Sequence, residues 1–218
     1  MADDTRAAPA VADPAPLGLA AFAATTFVLS VHNLLGDKSL GLLVFVGPAL
    51  FYGGAAQFAA GMWEFKNKNV FGATAFTTFA AFWMGLAAFV TLILAGKEPV
   101  GDINSALAYT LIAFAIFNTY VWLWSSRTSK ALFGTFTLLE VTFIVLIVAY
   151  LNNVAAGDGL AAIGGYAGVA TAIGAWYCSA AGLINAMAGK VVLPVGSAIW
   201  GAPATPIAAG AARAQTTA

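Results

Sequence analysis

Charge is what this sequence has least of. Of its 218 residues, 8% are Asp, Glu, Lys or Arg, nine basic against nine acidic, for a formal net charge of zero. Water-soluble domains carry about 25%, and a fold of this size could not cover its surface in water with so few. A soluble enzyme, a secreted disulfide scaffold and a disordered chain are excluded on that ground. Zero net charge also removes the basic face that nucleic-acid binding requires. Cys178 is the sole cysteine, so neither an intrachain disulfide nor a thiolate metal site can form. His32 is the sole histidine, which leaves no histidine pair for a metal. No Gly-x-Ser-x-Gly occurs, and Gly164-Gly165 lacks phosphate-loop spacing. Every aspartate lies outside the long apolar runs, so paired-aspartate chemistry within a membrane is out. No metal, cofactor or enzymatic activity is expected.

The chain is instead rich in apolar residues: 61% are hydrophobic and mean hydropathy is +0.88. A membrane-crossing helix needs about 20 mostly apolar residues, and six stretches qualify, at about 17–35, 40–63, 70–95, 106–124, 131–151 and 160–187. Charged and turn-forming residues separate them. Strand-type alternation is absent, so the fold class is an all-α integral membrane protein with six transmembrane helices. Arg6, Lys66, Lys68, Arg127, Lys130, Lys190 and Arg213 fall on the side of both termini, against Lys38 and Lys97 on the other. That bias predicts cytoplasmic N and C termini. Asp3, Asp4 and Asp13 stand where a signal peptide would be basic, so none is expected. Residues 1–12 and 198–218, rich in Ala, Pro and Thr, are expected to be disordered cytoplasmic tails around a six-helix membrane domain at 13–197.

Polar residues at membrane depth mark either helix contacts or a solute path. The candidates are Thr25, Thr26, His32 and Asn33 in the first span, Gln57 in the second, Thr78 in the third, Asn118 in the fourth, Glu140 in the fifth and Asn185 in the sixth. Gly53, Gln57, Gly61 and Glu64 share one helix face. Glu140 lies about 14 Å into its span by helical rise, and no lysine or arginine lies deep enough to pair with it. It reads either as a proton or ligand site or as an acid hydrogen-bonded to a neighbouring helix. His32 reads as a structural hydrogen-bond partner ahead of a proton relay, and Cys178 as packing. Gly47-Pro48 predicts a kink, with its backbone lining a cavity as one reading. Gly164-x-x-x-Gly168 predicts close helix approach, within one subunit or between subunits. The odd helices echo one another in Phe22-Ala-Ala-Thr-Thr-Phe27, Phe76-Thr-Thr-Phe79 and Phe136-Thr-Leu-Leu-Glu140, which fits three hairpins.

Asp13-Pro14-Ala15-Pro16-Leu17-Gly18-Leu19 resembles the Asn-Pro-Ala-Pro-Leu-Gly-Leu signature of the acetate uptake transporters, a family that includes bacterial succinate–acetate permeases. His32-Asn33, Phe51-Tyr52-Gly53-Gly54, Phe71-Gly72, Phe82-Trp83 and Leu193-Pro194-Val195-Gly196 follow in the family's order, so the resemblance covers residues 13–197. It implies a six-helix protomer similar to urea and amide channels, with a central pore in each protomer of a homohexamer. It implies acetate and other short carboxylic acids as substrates, a plasma membrane (a bacterial inner membrane first) as the location, and a hydrophobic neck at Phe22, Phe79 and Leu139. Two departures stand out: Asp13 replaces asparagine, and Phe79 stands where relatives often have tyrosine. Proton-linked acetate transport is the expectation. A passive channel for urea, amides or ammonia is the alternative.

Overall fold

The computed structural model describes residues 11–36, 41–96 and 102–201, with backbone alone at 41 and 42. Residues 1–10 and 202–218 of the expected tails, together with Lys38 and Lys97, lie outside the described residues. Six helices are long and apolar enough to cross a membrane: α1 (Ala15–Leu35), α2 (Leu43–Lys66), α3 (Val70–Leu94), α4 (Ile103–Ser125), α5 (Lys130–Leu151) and α6 (Gly159–Ala188). No strand occurs among the described residues.

Local chemistry sets the helix starts. Asp13 Oδ1 accepts from Ala15 N at 2.9 Å, and prolines at the first turn of α1 lose no helical hydrogen bond. Asn69, Asp102 and Ser129 cap α3, α4 and α5 by accepting from Gly72 N, Asn104 N and Leu132 N. Ser105 Oγ donates to Asp102 Oδ2 at 2.6 Å, and Asn104 N to Oδ1. Led by the Ser105 bond, these contacts hold the Asp102 carboxyl below its ordinary value. The cap places the start of α4 at Ile103, ahead of the Ala106 expected from hydropathy alone.

α2 is not a plain kinked helix. An α-helical piece ends at Gly47, Pro48–Ala56 winds as a π-helix, and Gln57–Lys66 returns to α geometry. Pro48 has no N–H to give the ladder. Its carbonyl accepts instead from Thr25 Oγ1 of α1 at 3.3 Å.

α6 packs along α1 and α5, α5 along α4, and α3 along α2, which in turn leans on α1. Small residues make the α1–α6 seam close: a Cβ on Gly165 would meet Leu34 N at 2.6 Å. Gly164 and Gly168 face Leu146 and Ser30 of the same chain, so the Gly164-x-x-x-Gly168 motif serves packing within one subunit. Ser179 Oγ of α6 donates to Pro16 O at 2.6 Å, which places the start of α1 beside the last third of α6. Beyond α6, residues 189–201 run back under the bundle. Asn185 Oδ1 accepts from Val192 N and Leu193 N, Ala131 N donates to Val195 O, and Ile199 N donates to Ser126 O. Residues 198–201 thus belong to the packed structure, four residues beyond the expected boundary at 197.

No Cα of α5 comes within 8 Å of a Cα of α1 or α3. Side chains bridge that gap: Phe136 of α5 meets Phe71 and Phe79 of α3 at ring-centroid distances of 5.9 and 6.4 Å, and Phe143 meets Phe82 at 6.3 Å. The gap between α5 and the other two odd helices is therefore closed by side chains alone. Outside, the bundle is apolar, with Phe51 75% and Met187 82% exposed, as a lipid-facing surface must be.

Candidate functional site

Three side chains meet in the gap among α1, α3 and α5. Phe22 and Phe79 pack edge to face at 5.3 Å between centroids, and both are under 10% exposed, as is Leu139. Two cavities lie on either side of them. The one toward the start of α1 is lined by Leu19, Gln57, Ala75, Phe76, Thr135 and Phe136 among others, and leaves about 20 Å³ for the centre of a water-sized sphere. The one toward the end of α1 is lined by Thr26, Ser30, Asn33, Phe82, Trp83 and Thr142 among others, and leaves about 40 Å³. Phe22, Phe79 and Leu139 are the residues common to both linings. A volume of about 10–15 Å³ on this measure admits one water, so the first cavity is water-sized and the second holds a few heavy atoms.

Residues in both linings carry buried polar groups without hydrogen-bond partners. Gln57 is fully buried, and neither its Oε1 nor its Nε2 has a hydrogen-bond partner among the described residues. On the far side, Thr26 Oγ1 and Trp83 Nε1 are likewise buried without partners. Groups of this kind are costly to hide unless something occupies them. Asn33 closes the far rim, accepting from Tyr150 OH at 3.0 Å. Neither lining contains a lysine, arginine or carboxylate.

Of the sequence candidates, Thr26, Asn33 and Gln57 line these cavities, and six others do not. Thr25 is buried where α1 meets α2, bonding Ala21 O and Pro48 O. Asn185 holds the turn after α6 through Leu193 and Val192. Thr78 and His32 line neither cavity. Asn118 and Glu140 bond one another between α4 and α5, with Asn118 Nδ2 to Glu140 Oε2 at 2.6 Å and Thr119 Oγ1 to Glu140 Oε1 at 2.8 Å. Glu140 follows Leu139, and one residue turns a helix by about 100°, so it faces α4 instead of the path. The π-helical backbone of α2 lines neither cavity either, since Thr25 engages it. Ser30 is a cavity residue that depth and polarity alone did not single out, and Trp83, part of the Phe82-Trp83 motif, is another member of the lining. Trp83 sits one helical turn beyond Phe79.

A family model described as the GPR1/FUN34/yaaH family matches residues 4–198. The chain belongs to this family. It is 41% identical to the glyoxylate pathway regulator of Yarrowia lipolytica over 176 residues, covering 79% of this chain and 64% of that one. It is 32% identical to acetate permease A of Emericella nidulans, covering 87% of this chain and 67% of the relative. It is also 32% identical to the succinate-acetate/proton symporter SatP of Escherichia coli, covering 85% and 96%. The chain thus spans under two thirds of the first fungal relative and nearly all of the bacterial one. Among solved structures, the bacterial acetate channel SatP superposes with a TM-score of 0.79 at 31% identity, covering 86% of this chain and 100% of that chain.

Membership gives the signature at 13–19 a structural meaning. Its prolines start α1, Pro16 O is held by Ser179, and Gly18 lies so close to Phe76 that a Cβ would sit 2.7 Å from the ring. Asp13 makes the capping bond that the family's asparagine could make equally. Asp13 stays solvent-exposed as a residue, yet nearby protein strips water from its carboxyl. That raises it above its ordinary value, against the lowering pull of Ala15 N–H. Glu64, at the same end of the bundle, repels it through space.

Proposed function

We propose that this multi-pass membrane protein is a transporter, not an enzyme, that carries acetate and other short monocarboxylic acids across the plasma membrane, with succinate as the larger acid to test. The observation that carries this reading is the pair of cavities meeting at Phe22, Phe79 and Leu139, with unspent hydrogen-bonding groups on both sides. Acetate has one apolar and one polar end. In the larger cavity Thr26 Oγ1–H and Trp83 Nε1–H supply two donors for its carboxyl group, and the methyl fits the ring edges of the neck. On the other side the Gln57 amide offers both a donor and an acceptor. No cation stands at the neck to stabilise a bare anion, so the acid crosses in its neutral form or together with a proton. The names of the relatives, acetate permease and succinate-acetate/proton symporter, support the substrate class.

In this reading the termini face the cytoplasm. Lys66, Lys68, Arg127, Lys130 and Lys190 lie in or beside connections on that side. The exposed apolar exterior supports assembly of protomers, each with its own path, into a hexamer. A channel for neutral solutes is the second reading. The uncharged lining suits it, and a relative in Saccharomyces cerevisiae is named an ammonia transport outward protein.

The test is uptake of radiolabelled acetate into proteoliposomes under an inward proton gradient, with urea and ammonia as competitors. Saturable acetate uptake that lactate inhibits weakly and urea leaves unaffected is expected. Urea flux without acetate uptake would favour the second reading. The neck assignment has its own check: Leu139→Ala should admit lactate, raising its rate relative to acetate at least about tenfold, and an unchanged ratio would count against it.

A further inference from the structure

The neck residues are not held by one another alone. α4 gives only Leu111 to the cavity linings, yet three consecutive residues on it reach the two halves of the neck from behind. Phe117 meets Phe79 edge to face, with ring centroids 5.4 Å apart. Asn118 and Thr119 hold Glu140, the residue after Leu139, by bonds of 2.6 and 2.8 Å. One helical turn along, Trp122 Nε1 donates to Thr137 Oγ1 at 2.7 Å, another tie between α4 and α5. The backbones of α3 and α4 barely approach each other, and aromatic side chains join them: Phe82 meets Phe114 at 4.7 Å between centroids, one helical turn from the Phe117–Phe79 contact.

We propose that Phe117, Asn118 and Thr119 of α4, with Glu140 of α5, form a brace that sets the aperture of the neck, making Glu140 a positioning residue for size selectivity. This rests on the reading of Phe22, Phe79 and Leu139 as the neck. The physical reason lies in the rest of α5. Leucine, valine, isoleucine and phenylalanine surround its axis, and in a membrane burying one such face gains little over burying another. Rotation of α5 is therefore poorly specified by hydrophobicity. Directional hydrogen bonds specify it. With Glu140 pinned to α4, Leu139 is held about 100° round the helix, against Phe22 and Phe79. A carboxylate is an expensive residue at this depth, and a seam needed only for packing would be filled by a leucine. The fully buried Asn118 adds a detail: its Oδ1 has no partner among the described residues, whereas its Nδ2 is engaged. A glutamine at 140 could pair with both ends of that amide, so Glu140→Gln should keep the brace while Glu140→Ala removes it.

The experiment measures initial uptake of lactate and acetate in proteoliposomes containing the full chain, for Leu139→Ala, Glu140→Ala, Glu140→Gln, Phe117→Leu and the double variant Leu139→Ala/Glu140→Ala. The brace predicts that Glu140→Ala raises the lactate-to-acetate ratio about threefold, the worth of one intramembrane hydrogen bond. It predicts that Glu140→Gln restores the parent ratio, and that Glu140→Ala adds nothing in the Leu139→Ala background, where the side chain it positions is gone. Phe117→Leu should raise the ratio independently through Phe79, and it tests the brace should Glu140→Ala fail to fold. If Leu139→Ala shifts the ratio but neither Glu140→Ala nor Phe117→Leu does, the brace is wrong and the neck stands. If Leu139→Ala itself is silent, the neck reading falls and the brace with it. An unchanged ratio in Glu140→Ala together with a lost response to the proton gradient in Glu140→Gln would make Glu140 a proton carrier and overturn the positioning role.

Discussion

Asp13 is the residue at which this chain departs most visibly from its family's signature, and its chemistry gives a directional prediction. Its folded-state value is raised, so the proton-bound form is favoured by folding. The contribution is present below the ordinary aspartate value of 3.8 and is lost as pH rises through the folded value. Asp13→Asn keeps the oxygen that accepts from Ala15 N and removes the charge that Glu64 repels. It should raise the unfolding temperature in detergent at pH 7, by about 1 °C given the solvent access, and leave it unchanged below pH 3. A lower value at pH 7 would mean that attraction to the start of α1 outweighs the lost hydration. Residue identity and depth were readable in the sequence, and they led to Thr26, Asn33 and Gln57. They did not separate these from Thr25, Thr78 or Asn185, because depth does not say what a side chain faces. Thr25 finds the carbonyl of Pro48 itself, and Asn185 finds the turn after α6, two partners that exist once the chain is folded. The echo of Phe/Thr patches was a better guide. Phe22, Phe79 and Leu139, which the family resemblance implied, fall within those patches, and the three side chains line the junction of the two cavities.

Helices were legible as elements because twenty apolar residues between charged breaks admit few other structures. Their ends were less so: α4 begins at Ile103 because Asp102 caps it, a local bond that hydropathy ignores. The π-helical stretch of α2 was legible only as a proline, whose missing N–H interrupts the ladder without saying how the chain rewinds. Two predictions belong to this scale. Gly165→Ala places a methyl carbon 2.6 Å from Leu34 N, where backbone cannot yield, and should cost about 3 kcal/mol, read as early unfolding or loss of folded protein in detergent. Asn69 caps α3 and also donates to Glu64 Oε2 at 3.0 Å, and Glu64 is 1% exposed. Asn69→Ala should therefore cost about 2–3 kcal/mol, more than a cap alone. Asn69→Ser, which restores only the cap, should recover less than half of the loss in a thermal-unfolding series.

On the scale of the whole molecule, six helices leave a seam among α1, α3 and α5 in which no backbone makes close contact with α5 from either partner, and aromatic side chains close it at one level. Two small, mainly apolar cavities meet at an apolar constriction, with unpartnered polar groups of Gln57, Thr26 and Trp83 buried beside them, an arrangement that in the proposed reading suits a small molecule with one polar end and resists a bare ion. In the proposed transport reading, passage depends on proton supply, because neither lining carries a fixed charge. The most direct measurement is therefore acetate uptake into proteoliposomes at a fixed outside concentration of acetate, comparing an inward proton gradient with none and subtracting leakage through empty liposomes. The account predicts saturable uptake that the gradient drives above equilibrium, with lactate excluded until Leu139 is cut to alanine. Uptake no faster than leakage, or uptake of lactate as readily as acetate by the parent protein, would contradict it.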